Sequence, residues 1–89
     1  MDGAVTPVTE EDVRSRLDRV TDPELDRSIV ALGYVEAVAI DLPEVHVRFS
    51  LPTAWCSPAF AWMMATDARR EVETLIGVDR AVVELRDHM

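Results

Sequence analysis

The chain has 89 residues, which is enough for one small domain with a single core. Hydrophobic residues make up 48% of it and charged residues 29%, a balance typical of globular rather than disordered proteins. With 9 basic and 17 acidic residues the formal net charge is −8, which disfavours binding to nucleic acid or to an anionic membrane through phosphate contacts.

Residue types exclude further classes of protein. All 9 basic residues are Arg, so Schiff-base chemistry and P-loop nucleotide binding, which both need Lys, are excluded. The single cysteine cannot form an internal disulfide, and Cys and His together supply too few ligands for a structural zinc site. The acidic amino-terminal region and the lack of a long apolar run predict a cytoplasmic protein with neither a signal peptide nor a membrane span.

The first predicted element is a helix. Residues 1–8 are predicted to be a flexible lead-in to a single domain spanning 9–89. Thr9 is a typical N-cap, because carboxylates follow it in the first turn, where the helix dipole favours negative charge. Apolar residues then recur at helical spacing on the face expected to be buried: Val13, Leu17 and Val20. We expect this helix to end near Val20.

A linker and two strands follow. The linker contains helix breakers at Pro23 and Gly33, and Asp22 is placed to cap a single turn that begins at the proline. Strands are predicted at residues 34–40 and 45–51, joined by a tight turn into an antiparallel hairpin. In the second strand alternate residues are apolar and are expected to face the core: Val45, Val47, Phe49 and Leu51.

The carboxyl-terminal half contains a second helix and a last strand. Ser57 followed by Pro58 predicts the start of a helix that continues to about Ile76, where Gly77 ends it. A last strand is predicted from alternating apolar residues: Ala81, Val83 and Leu85. The elements together predict an α/β (α+β) fold, a compact two-layer domain in the order α-β-β-α-β. Its small mixed sheet has the helices on one face.

The loop cysteine is the first candidate for chemistry. Cys56 comes just before the N-cap of the second helix, where amide groups and the helix dipole stabilise a thiolate. A thiolate binds soft metals or attacks electrophiles. The alternative is that Cys56 is a small buried apolar residue, as free cysteines commonly are. Spacing alone leaves both interpretations open.

Two carboxylates that flank a proline form the second candidate. In one interpretation Asp22 caps a turn and Glu24 is a solvated surface charge. In the other, the rigid turn presents carboxylate oxygens toward Cys56, as ligands or as proton acceptors for its thiol. An iron–sulfur cluster usually takes about four protein ligands, mostly thiolates, and this chain has one. A cluster would therefore be shared with a second copy, a thiol cofactor or a partner protein.

The second helix has two contrasting faces. One face is apolar and is expected to be buried, with three further residues at its edge: Phe60, Met64, Ala68, Val72 and Leu75, then Ala61, Ala65 and Ile76. Trp62 and Met63 fall among charged residues on the opposite half. They either pack beneath a terminal segment or, together with Trp55, form an exposed patch for a partner or a second copy.

Longer stretches of the chain resemble a known family. The run DPELDRSIVALGYV, the loop PTAWCSP and the ending LIGVDRAVVEL are similar to the SufT/PaaD-like metal–sulfur cluster assembly factors, from about Val13 to Leu85. The resemblance implies a compact α/β fold and a role in maturing iron–sulfur clusters or delivering them to client proteins. It also implies a pocket built from five residues, with the cysteine as the ligand to iron: Asp22, Glu24, Leu25, Thr53 and Cys56.

The first functional hypothesis is an assembly or carrier factor rather than an enzyme. Its cargo is iron or an iron–sulfur cluster, held transiently by the Cys56 thiolate, to which Thr53 donates a hydrogen bond. Its partners are a client metalloprotein or the cluster-assembly machinery, with a homodimer as a further option, and neither nucleic acid nor membrane. Trp55, Trp62 and Met63 are expected to dock the client.

Two other hypotheses remain open. The chain departs from the family pattern at Ala31, Pro52 and Ser57, which favours a metal-free binding module, a chaperone or an accessory subunit dedicated to a metal-dependent oxygenase complex. In the third hypothesis the protein is an enzyme in which Cys56 is the nucleophile and His46 the base. That hypothesis requires His46 to reach the cysteine from the polar side of its strand.

Overall fold

The computed structural model describes residues 7–51 and 58–87. Helix α1 spans Glu10–Leu17 and begins with a capping box, in which the Thr9 hydroxyl accepts from the Asp12 amide at 3.1 Å and the Asp12 carboxylate from the Thr9 amide at 3.0 Å. The helix ends three residues before the predicted end at Val20. The Val20 amide donates to the Leu17 carbonyl three residues back, so the chain tightens into a turn after Leu17.

The segment predicted as a linker contains two short strands. Strand β1 (Thr21–Asp22) pairs antiparallel with β2 (Arg27–Ser28), and the order of elements is therefore α-β-β-β-β-α-β. The prediction without these strands was wrong because two residues are too few to show an alternating pattern. Asp26, at φ 54°, closes the turn, and its amide donates to the Asp22 carbonyl at 2.7 Å.

Three longer strands form the main sheet, whose spatial order is β3-β4-β5. Strand β3 (Val35–Asp41) is antiparallel to β4 (Glu44–Leu51), which in turn is parallel to β5 (Arg80–Asp87). Helix α2 (Pro58–Glu73) lies in the crossover that a parallel pair requires. The predicted α+β fold with a mixed sheet is thus confirmed, and β3 begins and ends one residue later than expected.

The core lies between one face of this sheet and the helices. The inward residues of β4, from Val45 to Leu51, are buried as the alternation predicted, and four residues of α2 lie against them: Ala61, Met64, Ala68 and Val72. Val8, in the predicted lead-in, also packs against the core. Within the described ranges no helix has the length and apolar character needed to span a membrane.

The end of α2 differs from the prediction. The helix stops at Glu73, and a turn over the next four residues ends at Gly77, which has φ +97°. Ile76 lies in this turn and is 82% exposed, so its expected place beside the buried face was wrong. Leu85, one of the alternating apolar residues that predicted the last strand, is 41% exposed because it lies near the end of β5, an edge strand of the described sheet.

Candidate functional site

The turn that follows β1 is organised around the carboxylate of Asp22. Asp22 is 4% exposed, and it is the buried charged residue of the described chain. Its Oδ1 accepts hydrogen bonds from the amides of Glu24 at 2.8 Å and Leu25 at 3.3 Å, while Oδ2 accepts from the Tyr34 hydroxyl at 2.8 Å. The prediction that Asp22 caps a turn is therefore confirmed.

These donors keep Asp22 ionised. Burial acts to raise the pKa of the Asp22 carboxyl, but the hydrogen bonds from Tyr34 and from the two amides outweigh it and hold the pKa below its ordinary value. A carboxylate offers about four lone-pair positions, and three of them are used here. A carboxylate with a lowered pKa is a weak base, so this group supplies a fixed negative charge.

Tyr34 connects this charge to the main sheet. Its amide donates to the Ile29 carbonyl at 2.9 Å, and its carbonyl accepts from the Ser50 amide at 2.7 Å. The ring is buried, with the residue 5% exposed. Ser50 is the penultimate residue of β4, so the hydroxyl that holds Asp22 belongs to a residue fixed at the carboxyl end of that strand.

The loop that carries the candidate cysteine starts at the same end of the sheet. Strand β4 ends at Leu51 and α2 begins at Pro58, with six residues between them. Thr53, Trp55 and Cys56 are among those six and lie outside the described residues, so their predicted roles stay predictions. Helix α2 also contacts β1, which contains Asp22. Ligands of open sheets with βα crossovers commonly bind at the carboxyl ends of strands.

The structure brings three of the five predicted pocket residues together in one turn. Asp22 is buried at its centre, whereas Glu24 and Leu25 are exposed and contribute backbone amides to it. Leu25 is 55% exposed, which is unusual for a large apolar side chain and leaves it accessible beside the turn. Within residues 7–51 and 58–87 no group of three or more His, Cys, Asp or Glu side chains could hold a metal ion.

The residue that the sequence interpretation missed is Tyr34. The sequence pattern assigned Tyr34 only to the start of a strand. Because a buried tyrosine needs a hydrogen-bond partner for its hydroxyl, a tyrosine at this position could have indicated a nearby acceptor. His46 lies on the sheet face opposite to the core, with Nε2 3.0 Å from Glu44 Oε1. It points away from the helices, as its place on the polar side of the strand predicted.

Two apolar residues of α2 lie on the surface. Trp62 is 67% exposed and Met63 is 44% exposed, while the adjacent Met64 is 1% exposed. Both side chains are thus exposed, and their role in binding a partner stays a prediction. Both residues are in the first half of α2, within two turns of Pro58.

Comparison with known proteins identifies the family. Residues 10–85 match the model of a family described as iron–sulfur cluster assembly proteins. The chain belongs to this family. Among curated proteins, an uncharacterized protein of Methanocaldococcus jannaschii is 38% identical over 84 residues, which cover 92% of this chain and 85% of that protein. The resemblance seen in the motifs is thus confirmed across nearly the whole domain.

Two solved structures have a fold similar to that of this chain. A conserved hypothetical protein of Thermotoga maritima superposes with a TM-score of 0.80 at 33% identity, covering 97% of this chain and 83% of that one. A domain of unknown function, DUF59, from Bacillus anthracis superposes with a TM-score of 0.77 at 26% identity, covering 86% and 73% respectively. The family and its fold are therefore established for this chain.

Proposed function

We propose that this protein is a carrier in iron–sulfur cluster assembly, which takes up iron or a cluster and delivers it to a client protein without acting as a turnover enzyme. The cargo binds at the carboxyl end of β4. The observation that supports this most directly is the buried, ionised carboxylate of Asp22, held by three donors at that end of the sheet in a chain of the iron–sulfur assembly family.

In this proposal Cys56 makes the bond to iron and Asp22 supplies a nearby negative charge. Cys56 is two residues before Pro58, and the amide groups at the start of α2 favour a thiolate there. The thiol releases its proton to solvent when iron binds, as thiolate ligation requires. Thr53 donates a hydrogen bond to the sulfur.

The same pair of groups also makes release easy. A single thiolate with one supporting charge suits transient binding, since a site with about four thiolates would retain the cluster.

The test is anaerobic loading of the full chain with ferrous iron and sulfide. We expect the wild-type protein to bind iron with a thiolate-to-iron absorption band, and Cys56→Ser to lose both. His46→Ala is the matched control, because it removes a metal-ligating side chain from the opposite sheet face and should load like the wild type. Equal, negligible loading of the wild type and Cys56→Ser, alone and with a client present, would remove the carrier function.

A second candidate function is a metal-free binding module or accessory subunit, and the exposed Trp62 and Met63 favour it. Aromatic and Met side chains are enriched where proteins bind partners. In the carrier proposal this patch docks the client during delivery, whereas in the binding module it is the whole function. The two candidates differ in whether Cys56 is needed once the client is bound.

Charged substitutions on the patch distinguish them. We expect Trp62→Glu to leave the circular dichroism spectrum unchanged and to weaken client binding at least tenfold, because an exposed aromatic anchor is lost. Leu42→Glu is the control, since Leu42 is a comparably exposed apolar residue in the turn between β3 and β4. Normal client maturation by Cys56→Ser, with maturation lost in Trp62→Glu, would favour the binding module over the carrier.

A further inference from the structure

We propose that Tyr34 is the positioning residue of the cargo site: its hydroxyl anchors the Asp22 carboxylate at the carboxyl end of β4. The inference rests on the proposed carrier function and assigns that function a residue outside the pocket that the family resemblance implies. Two of the hydrogen bonds to Asp22 come from the amides of Glu24 and Leu25, which belong to the same turn.

Within residues 7–51 and 58–87, the hydroxyl of Tyr34 is the donor to this carboxylate that comes from outside the turn. The two amides define the shape of the turn but cannot orient it relative to the sheet, because they move with it. Tyr34 is held independently by the Ile29 carbonyl and the Ser50 amide. The Tyr34–Asp22 bond is therefore the described side-chain link between the charged turn and the end of β4.

The burial of both groups makes this link strong and directional. Tyr34 is 5% exposed and Asp22 is 4% exposed, so water competes little for the bond. Among the described residues, this hydroxyl is the hydrogen-bond partner of Oδ2. It fixes the orientation of the carboxylate, and therefore the position of its negative charge relative to a group bound beside it. Residues that orient a binding group in this way typically change metal affinity by about 10–100-fold when they are removed.

The experiment compares Tyr34→Phe with Ser28→Ala in the anaerobic iron and sulfide titration. Tyr34→Phe keeps the buried ring and removes only the hydroxyl. Ser28→Ala removes a hydroxyl in the same region that donates to Asp18 and accepts from the amides of Val30 and Ala31, and it makes no bond to the carboxylate of Asp22. We expect Tyr34→Phe to weaken iron binding about tenfold or more and Ser28→Ala to bind like the wild type, although both lose some thermal stability.

A second measurement, by NMR, uses the protein without iron. The side-chain carboxyl ¹³C resonance of Asp22 should shift in Tyr34→Phe and stay in place in Ser28→Ala. An unshifted resonance in Tyr34→Phe would overturn the positioning role, as would equal losses of iron affinity in both variants. Failure of the wild type to load removes the carrier function itself, whereas normal loading of Tyr34→Phe beside a loading wild type removes only the role of Tyr34.

Discussion

At the scale of single residues, Asp22 has a stabilising role that is independent of any cargo. Its carboxylate closes the turn through two amides and ties that turn to Tyr34. An acidic group that is buried in a protein normally resists ionisation, yet three donors reverse that preference here. The residue at the centre of the proposed cargo site therefore also stabilises the local fold.

The sign of the resulting pH dependence follows from the lowered pKa of Asp22. The ionised form favours the folded state, so its contribution is fully present above the unfolded pKa of about 4 and is lost as the pH falls through the lower folded pKa. We expect Asp22→Asn to reduce the free energy of unfolding at pH 7 by about 1–3 kcal/mol, because a neutral amide accepts weaker hydrogen bonds.

Urea unfolding at pH 7 and at several values below pH 4 measures this effect. The difference between the wild type and Asp22→Asn should shrink steadily as the pH falls. Glu24→Gln is the control and should change stability by less than about 0.5 kcal/mol, since its side chain is exposed. A difference that stayed constant down to pH 2 would show that the charge of Asp22 contributes nothing to the fold.

At the scale of elements, the two faces of α2 differ in burial. Met64 is buried against the sheet at 1% exposure, and the next residue toward the amino terminus, Met63, is 44% exposed. Successive helix positions differ by about 100° around the axis, so neighbours in sequence can serve different purposes. The helical period of the apolar residues predicted this division from the sequence.

Paired alanine substitutions test that division. We expect Met64→Ala to lower the free energy of unfolding by about 2–5 kcal/mol, since it leaves a cavity in the core. Met63→Ala should change it by less than about 0.5 kcal/mol and should weaken client binding instead. Denaturant unfolding and a client-binding assay report the two effects. Comparable destabilisation by both variants would mean that the outward side of α2 is also part of the folding core.

The sequence predicted elements well where a periodic pattern ran for two or more turns of helix or several strand residues. Strand β4 alternates over its length, and its inward residues are buried as expected. Two-residue strands β1 and β2 carry no such pattern, so they were assigned to a linker. The end of α2 was misplaced because apolar Leu75 and Ile76 continue the helical spacing beyond Glu73, where the backbone has already turned.

At the scale of the whole molecule, the candidate site depends on tertiary proximity that no local pattern contains. Asp22 and Tyr34 are 12 residues apart, and their contact exists because the chain returns to pair Tyr34 with Ser50. The motifs identified Asp22, Glu24 and Leu25 as a group, and the structure unites them in one turn. Residue spacing could not predict the hydroxyl that anchors this turn to the sheet.

The proposed cargo site combines the turn around Asp22 with the loop that carries Cys56, and the topology favours this combination. Tyr34 fixes the turn at the carboxyl end of β4, and the chain leaves that same end toward Cys56 and α2. The parallel β5 then starts beside Glu44 at the far end of the sheet. The proposed site therefore lies at one end of the sheet, and simple turns connect the elements at the opposite end.

The most direct test of a shared cargo site is the iron affinity of three proteins under anaerobic conditions: the wild type, Asp22→Asn and Cys56→Ser. If one site contains both groups, Asp22→Asn should bind iron about tenfold more weakly than the wild type, as expected when a supporting group is lost. Cys56→Ser should not load at all. Wild-type affinity in Asp22→Asn, beside a Cys56→Ser protein that does not load, would contradict a cargo site that contains both groups.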